Sequence, residues 1–244
     1  MGCSSSDSSQ SQNQNKQNQG SNNNQTQQHK NLKGKSVKPT SGKIKQEITR
    51  KSGVKELVTI HIGNCGISLG ESFWGHQCIE NGIGLDGVFY GDGLHKGEYL
   101  STYFDEMKDG RFQPRSVFVD TDCSSIDELN SFYMKDLFRN VKRNGPKEPC
   151  ATFARGYYTI GKDKALEENI EEQLRICLEK HDNLDGALFF SSLSGGAGSG
   201  LLTSMTNKWQ DKTKKSALGI HIIPSERMGN DPLDSYNSIL SLSM

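Results

Sequence analysis

The sequence predicts an α/β fold in which a parallel β-sheet lies between two layers of helices. Four apolar runs each end in a turn-like or glycine-containing segment, at residues 56–62, 115–119, 186–191 and 217–223. Apolar residues at helical spacing follow the first three runs, at residues 67–78, 125–138 and 199–209. Strands that alternate with helices in this way are typical of a three-layer, parallel-sheet (Rossmann-like) domain.

The first two strand ends carry polar side chains suited to a ligand. Residues 56–62 run into the loop 63–66, and residues 115–119 run into Asp120-Thr121-Asp122. The carboxyl ends of parallel strands lie along one edge of a sheet, and open α/β sheets bind ligands there. We therefore expect these loops to share one pocket with the loop after the third strand and with residues 224–234.

The third strand leads into a glycine-rich loop, Ser194-Gly-Gly-Ala-Gly-Ser-Gly200. Glycines let the backbone turn tightly and approach a bulky anion, while free N–H groups and the positive end of the next helix favour phosphate oxygens. The loop lacks the Lys-Ser/Thr ending of a P-loop and the spacing of the dinucleotide fingerprint. Taken alone, it fits a phosphate cradle or a plain flexible connection.

Several strings stand in the order and near the spacing of one family: Ile60-His-Ile-Gly63, WGHQCIENG at 74–82, Pro114-Arg-Ser-Val-Phe-Val-Asp120, Phe153-Ala-Arg-Gly-Tyr-Tyr-Thr-Ile-Gly161 and Tyr236-Asn-Ser-Ile-Leu240. Together with the glycine loop, they make the chain from about residue 56 onward resemble the N-terminal half of a tubulin. The string from Ala154 to Lys162 is more similar to alpha-type tubulins than to beta-type, whereas Cys65 is a beta-like feature.

The resemblance implies a tubulin-type GTP-binding domain over residues 54–244 that takes GTP with Mg²⁺, with Asp122 on the metal side. It places nucleotide contacts at Asn64, Cys65, Ser192, Gly195, Gly196, Ala197, Gly198, Asn230 and Asp234. Tubulins usually carry Gln at position 64, Glu at 122, Gly at 194, Thr at 197 and Glu at 234. A lost hydrogen bond to phosphate costs about 1.5 to 3 kcal/mol, so we expect GTP affinity lower than the family's by about tenfold or more.

The resemblance also implies partners and limits. Family members continue past the position of Met244 with a guanine-reading segment, a second domain and a loop that completes hydrolysis, so we expect an incomplete domain with no assignable catalytic residue. The implied partners are tubulin subunits or the microtubule lattice, with no nucleic acid, and the implied location is the cytoplasm and cytoskeleton. Two alternatives stay open: a degenerate half that binds no nucleotide and serves as a membrane-tethered interaction module, or a truncated product of a longer gene.

Residues 1–53 differ from the rest in composition. Residues 4–28 are almost wholly Ser, Gln and Asn and cannot bury enough apolar surface to fold, so we predict a disordered tail. The start Met-Gly-Cys-Ser-Ser-Ser fits an acceptor for N-myristoylation at Gly2, with Cys3 beside it for palmitoylation, although Met-Gly starts are common. The tail holds nine Lys or Arg against two acidic residues. That basic stretch fits an anionic membrane, a solubilising linker or contact with an acidic lattice surface.

Overall fold

The computed structural model describes residues 53–91, 93–94, 97–131, 134–138, 149–181, 183–225 and 231–244. The predictions made for residues 1–52, including lipidation at Gly2 and Cys3, lie outside these ranges. The prediction for Asn230 also lies outside them. Within the described ranges, no helix combines the length and apolar content that crossing a membrane requires.

The described chain contains six strands and six α-helices. The first part contains β1 (Glu56–Ile62), α1 (Gly63–Asn81), α2 (Leu100–Tyr103), β2 (Phe104–Glu106), β3 (Phe112–Pro114), β4 (Ser116–Val119) and α3 (Cys123–Ser131). After a π-helical turn (Arg155–Thr159) and a 3-10 turn (Ile160–Lys162) come α4 (Lys164–Lys180), β5 (Leu184–Ser192), α5 (Gly196–Thr213), β6 (Ser216–Ile222) and α6 (Pro232–Ser243).

The main sheet has the strand order β4-β1-β5-β6, and all its pairs are parallel. Ile60 of β1 lies opposite Val117 of β4 on one side and Phe189 of β5 on the other. The chain leaves β1 towards β4 and later returns to the opposite side of β1, so the order reverses next to the carboxyl end of β1. A separate antiparallel hairpin joins β2 and β3.

Helices cover both faces of the sheet, which confirms the three-layer α/β prediction. Ile60 and Ile62 of β1 belong to one apolar cluster, together with Trp209 of α5 and side chains of α4. Phe118 of β4 belongs to a second cluster with Trp74 of α1 and side chains of α3. Alternate residues of a strand point to opposite faces, and this separates the two clusters.

His61 is a neutral core residue on the α1 face of the sheet. Its side chain is fully buried and lies between Phe118 and Phe190, with ring centroids 4.8 and 4.7 Å away. The Trp74 indole N–H donates to Nε2 over 3.3 Å, and burial lowers the pKa of His61 to about 3. A Cβ at Gly70 would lie 2.4 Å from Nδ1 of His61, so α1 can pack this closely only with glycine there.

Three helices differ in extent from the sequence prediction. The helix predicted over residues 67–78 is longer, since α1 begins at Gly63, within the predicted loop 63–66, and ends at Asn81. The helix predicted over residues 125–138 is shorter, because α3 ends at Ser131. Met134, Leu137 and Phe138 are nevertheless almost fully buried, and a turn delivers them to the core without a continued helix. The helix predicted over residues 199–209 is longer, since α5 begins at Gly196 and ends at Thr213.

Candidate nucleotide-binding site

The first turn of α1 and the glycine loop meet through their backbones. Gly63 directly follows β1 and has φ of 72°, a left-handed conformation that favours glycine. A Cβ at Gly63 would lie 3.3 Å from the backbone nitrogen of Gly198. Gly63 therefore lies beside the glycine loop at the carboxyl edge of the sheet, and Asn64 and Cys65 follow it in the first turn of α1.

The glycine loop leaves the N-terminus of α5 open. Gly195 is the N-cap of α5, with φ of −76° and ψ of 145°, and no side chain among the described residues caps the helix. A Cβ built on Gly195 would meet nothing within 4 Å. The first backbone N–H groups of α5 therefore have no side-chain cap, and the positive end of the helix dipole lies at this open position.

Other glycines of this loop are required by the packing of the chain itself. A Cβ on Gly196 would lie 2.3 Å from the backbone nitrogen of Thr152, and one on Gly198 would lie 2.5 Å from the carbonyl oxygen of Ser192. A larger residue at either position would push these backbones apart. From the sequence, these glycines were interpreted only as residues that let a phosphate approach the backbone. The structure adds a second role, because they also allow neighbouring loops to pack closely.

Hydroxyl groups stiffen the loop from within. Ser192 Oγ lies 2.8 Å from Ser194 Oγ and accepts the backbone N–H of Ser194 over 3.3 Å. The Ser199 hydroxyl donates to the carbonyl oxygen of Gly195 over 2.7 Å. Ala197 is half-buried in the first turn of α5 and supplies no hydroxyl.

Two carboxylates follow β4 at the same sheet edge. Asp122 is exposed, and the backbone N–H of Ser124 donates to it over 3.0 Å and lowers its pKa. Asp120 is only 3% exposed; its Oδ1 accepts the N–H groups of Thr121 and Asp122 over 2.7 and 3.3 Å. Its Oδ2 is buried and has no hydrogen-bond partner among the described residues. Burial raises the pKa of Asp120 despite those N–H groups.

These carboxylates fit a magnesium ion shared with a phosphate ligand. Mg²⁺ is usually bound through one or two carboxylates, substrate phosphates and water. Nowhere in the described ranges do three His, Cys, Asp or Glu side chains form a cluster that could hold a metal ion. The free Oδ2 of Asp120 and the exposed Asp122 suit such partial coordination, and sequence analysis had assigned only Asp122.

The first turn of α1 offers few polar side chains to a ligand. Asn64 is exposed, and its carbonyl oxygen accepts the Ser68 hydroxyl over 3.0 Å. Asn64 lines a crevice of about 30 Å³ that also includes Ser125 of α3. Burial raises the pKa of the Cys65 thiol, so Cys65 stays protonated at neutral pH. A larger cavity, of about 520 Å³, lies between α4 and α5 and includes none of the predicted nucleotide contacts.

Asn237 of α6 joins three segments of the site and was missed by sequence analysis. Its side-chain nitrogen donates to the carbonyl oxygens of Ser194 (2.7 Å) and Ala151 (3.0 Å), and its Oδ1 accepts the N–H of Phe153 (2.7 Å). It is 3% exposed. Asp234 lies one turn earlier on α6, so this contact brings the predicted ribose-side residue towards the glycine loop. The string Tyr236-Asn-Ser-Ile-Leu240 was the available sequence signal, but it contributed only to the resemblance.

The order reversal after β1 and the open glycine loop define a doubly wound α/β domain of the kind that holds ligands at the carboxyl edge of its sheet. Comparison with known proteins narrows this class. Residues 56–244 match the GTPase domain of the Tubulin/FtsZ family, so the chain belongs to that family.

Alpha-tubulins are among its relatives. The chain is 33% identical over 190 residues to the tubulin alpha-2 chain of Caenorhabditis elegans, 35% identical over 192 residues to the tubulin alpha-1 chain of Arabidopsis thaliana, and 34% identical over 192 residues to the tubulin alpha-3 chain of Zea mays. Each match covers 77% of this chain and 42% of the relative. The predicted likeness to the N-terminal half of alpha-tubulins is confirmed, and the chain spans less than half the length of these relatives.

Proposed function

We propose that this chain binds GTP together with Mg²⁺ and acts as an alpha-tubulin-like protein of the cytoskeleton. The observation that carries the proposal is the uncapped N-terminus of α5, which opens behind Gly195 at the point where the strand order reverses. Backbone N–H groups at such a helix end, in the field of its dipole, form an anion site. Family membership supports guanosine triphosphate as the anion.

The proposed contacts fall into three groups, which hold the phosphates, the ribose and the metal ion. Backbone N–H groups of Gly195, Gly196, Ala197 and Gly198 hold phosphate oxygens, with the Ser192 hydroxyl beside them. Asn64 and Cys65 approach the phosphates from the first turn of α1, and Asp234 faces the ribose. Asn230, outside the described residues, is a further proposed nucleotide contact. Asp122 and Asp120 face the metal, with water molecules completing its shell.

Tubulin subunits or the microtubule lattice are the proposed partners, and the cytoplasm and cytoskeleton the proposed location. Both follow from the likeness to tubulin alpha chains. We assign no catalytic residue and predict that the chain alone shows no appreciable GTP turnover.

Calorimetry with GTP, with and without Mg²⁺, tests the proposal. Wild type should bind more tightly with the metal, and Asp120→Asn, which keeps the Oδ1 acceptor but removes the negative charge, should lose most of that gain. Asp185→Asn is the matched control; that carboxylate pairs with Lys55 near the amino end of β5 and is half-exposed. Absence of GTP binding by wild type, or equal metal dependence in wild type and Asp120→Asn, would contradict the proposal.

A further inference from the structure

A buried polar cluster lies at the amino end of the main sheet, at the edge opposite the proposed nucleotide site. Arg115 directly precedes β4, and His181 is the C-cap of α4, three residues before β5 begins. Asp105 is the middle residue of β2. The side chains of Arg115, His181 and Asp105 are 2%, 9% and 21% exposed. Because these residues come from three segments, their contacts join the β2–β3 hairpin to α4 and to the sheet.

Both ring nitrogens of His181 face oxygen atoms that accept hydrogen bonds. Nδ1 lies 2.6 Å from the carbonyl oxygen of Cys177, and Nε2 lies 2.7 Å from Oδ1 of Asp105. A neutral imidazole carries one N–H, so only the protonated ring can donate to both oxygens. The carboxylate and the negative end of the α4 dipole stabilise that cation, and the hydrogen bond to Asp105 raises the pKa of His181. The contacts in the structure are therefore those of the protonated ring.

Arg115 offers the neutral ring of His181 a different partner. Its Nε lies 3.1 Å from Nε2 of His181 and 3.0 Å from Oδ1 of Asp105. A neutral ring that is protonated at Nδ1 keeps its bond to Cys177 and accepts the Arg115 N–H at Nε2. The other tautomer would set two N–H groups against each other and lose the bond to Cys177. Loss of the proton therefore replaces the bond to Asp105 by a bond to Arg115.

The guanidinium group of Arg115 is held by several partners that do not depend on this proton. Its Nη2 donates to Oδ1 of Asp105 over 2.6 Å, and its Nη1 donates to the carbonyl oxygens of Leu57 and Thr102, each over 3.1 Å. The bond from α4 to the hairpin, by contrast, exists only while His181 carries the proton on Nε2.

We propose that the bond between His181 and Asp105 is a proton-dependent latch, which fastens the β2–β3 hairpin to the end of α4 when His181 is protonated and releases it when the ring is neutral. The hairpin has two strands of three residues each, and so short a pair is only marginally stable by itself. A cavity of about 340 Å³ between the hairpin and the end of α4 gives the hairpin room to move. Phe104 and Phe112 are buried in the core, so release loosens the hairpin without unfolding the domain.

The groups around the latch leave the pH dependence to His181. Other charged side chains line the same cavity from β1, β2 and α4, whereas the lining residues of α2 and β3 are uncharged: Glu56, Glu106 and Lys180 are the charged ones. Histidine is the side-chain type that ordinarily changes its charge between pH 5 and 8. Burial raises the pKa of the Cys177 thiol, so this neighbour stays neutral there.

Hydrogen exchange of the full-length chain tests the latch, measured by mass spectrometry at pH 6 and pH 9 and corrected for the intrinsic exchange rate. In wild type, the hairpin amides of residues 103–115 should lose protection by about tenfold or more at pH 9, the factor that a hydrogen bond to a charged group contributes. The amides of β5 should keep their protection. In His181→Gln the hairpin should be equally protected at both pH values, because glutamine does not titrate. His76→Gln is the matched control: His76 is exposed on α1, and this variant should behave as wild type does.

Nitrogen-15 NMR of the wild-type imidazole rings tests the same latch without a substitution in the protein observed. The His181 signals are assigned by their absence in His181→Gln. At pH 6 both ring nitrogens of His181 should be protonated, and the ring should titrate with the same midpoint as the loss of hairpin protection. A neutral His181 ring at pH 6 would overturn the proposal. So would wild-type hairpin protection that is equal at pH 6 and pH 9, or that falls as far in His181→Gln as in wild type.

Discussion

Replacement of Gly195 by aspartate should stabilise the protein and abolish GTP binding at the same time. Gly195 has extended backbone angles that any residue adopts, and its Cβ would enter open space. The new carboxylate would be an N-cap that accepts the N–H groups at the start of α5. Those are the groups proposed to hold phosphate, so the substitution satisfies them within the chain.

The two effects have different sizes. An aspartate in place of a glycine N-cap, with its favourable dipole interaction, contributes about 0.5 kcal/mol, which raises Tm by about 1 to 2 °C in a domain of this size. A carboxylate held about 4 Å from a phosphate repels it by roughly 4 kcal/mol at the effective dielectric of a protein surface, or about a thousandfold in affinity. Gly195→Asn caps without charge and should lose only about tenfold, the worth of a competing hydrogen bond.

Thermal melts with and without Mg-GTP measure both effects in one experiment. Wild type at a GTP concentration of about 100 times Kd should gain roughly 2.7 kcal/mol, and Gly195→Asp should gain nothing while melting slightly higher without ligand. If Gly195→Asp binds GTP as tightly as wild type, the phosphates do not lie at the start of α5. If it melts well below wild type without ligand, the N-cap geometry inferred for Gly195 is wrong.

Three further predictions concern a buried amide, a histidine and the tail. Asn237→Ala removes the partner of three backbone groups and should lower Tm by several degrees and weaken GTP binding by about tenfold or more. Ser238→Ala loses only a hydrogen bond within α6 and should leave GTP affinity unchanged. Equal effects of both changes on GTP affinity would mean that Asn237 serves stability alone. The hydrogen bond from His181 to the carboxylate of Asp105 raises the pKa of His181 above 6.5. The stability that this hydrogen bond contributes is therefore complete below about pH 6.5 and is lost as the pH rises through the folded-state pKa. The Tm difference between wild type and His181→Gln should shrink from pH 6 to pH 9. A constant Tm difference would contradict this prediction. If the tail is lipidated at Gly2 and Cys3, Gly2→Ala should release a tail fusion from membranes and Cys3→Ser should leave weak, salt-sensitive attachment in fractionation. Full retention of the Gly2→Ala fusion would exclude lipid anchoring.

The sheet and its ligand edge were predictable because they rest on local patterns. Runs such as 56–62 and 186–191 are continuous apolar segments, and a buried parallel strand requires this composition on both faces. The loops that follow them contain glycine or acidic residues at the positions where parallel strands end. From these patterns alone, the convergence of Asn64, Asp122 and the glycine loop follows by topology.

The contacts of Asn237 and Asp120 could not be predicted in the same way. Asn237 bonds to residues more than 40 positions away, and no periodicity encodes such a contact. Asp120 differs from Asp122 only in burial, which depends on how β4 packs between its neighbours. The orientation of α6 was beyond sequence reasoning for a stronger reason, because its apolar periodicity predicts the opposite side inward.

The side-by-side positions of Tyr236 and Asn237 have a thermodynamic consequence. Tyr236 is 66% exposed on the outer side of α6, while the next side chain is fixed to the glycine loop through the carbonyl of Ser194. A body that presses on the outside of α6 and shifts it must move that loop, and a ligand that orders the loop must hold α6. Reciprocity then requires each to change the affinity of the other by the same factor, with coupling free energies typically about 1 to 3 kcal/mol. Ligand occupancy at the strand ends and contacts made by the outer side of α6 would in that case be one equilibrium, transmitted by two adjacent residues of the helix.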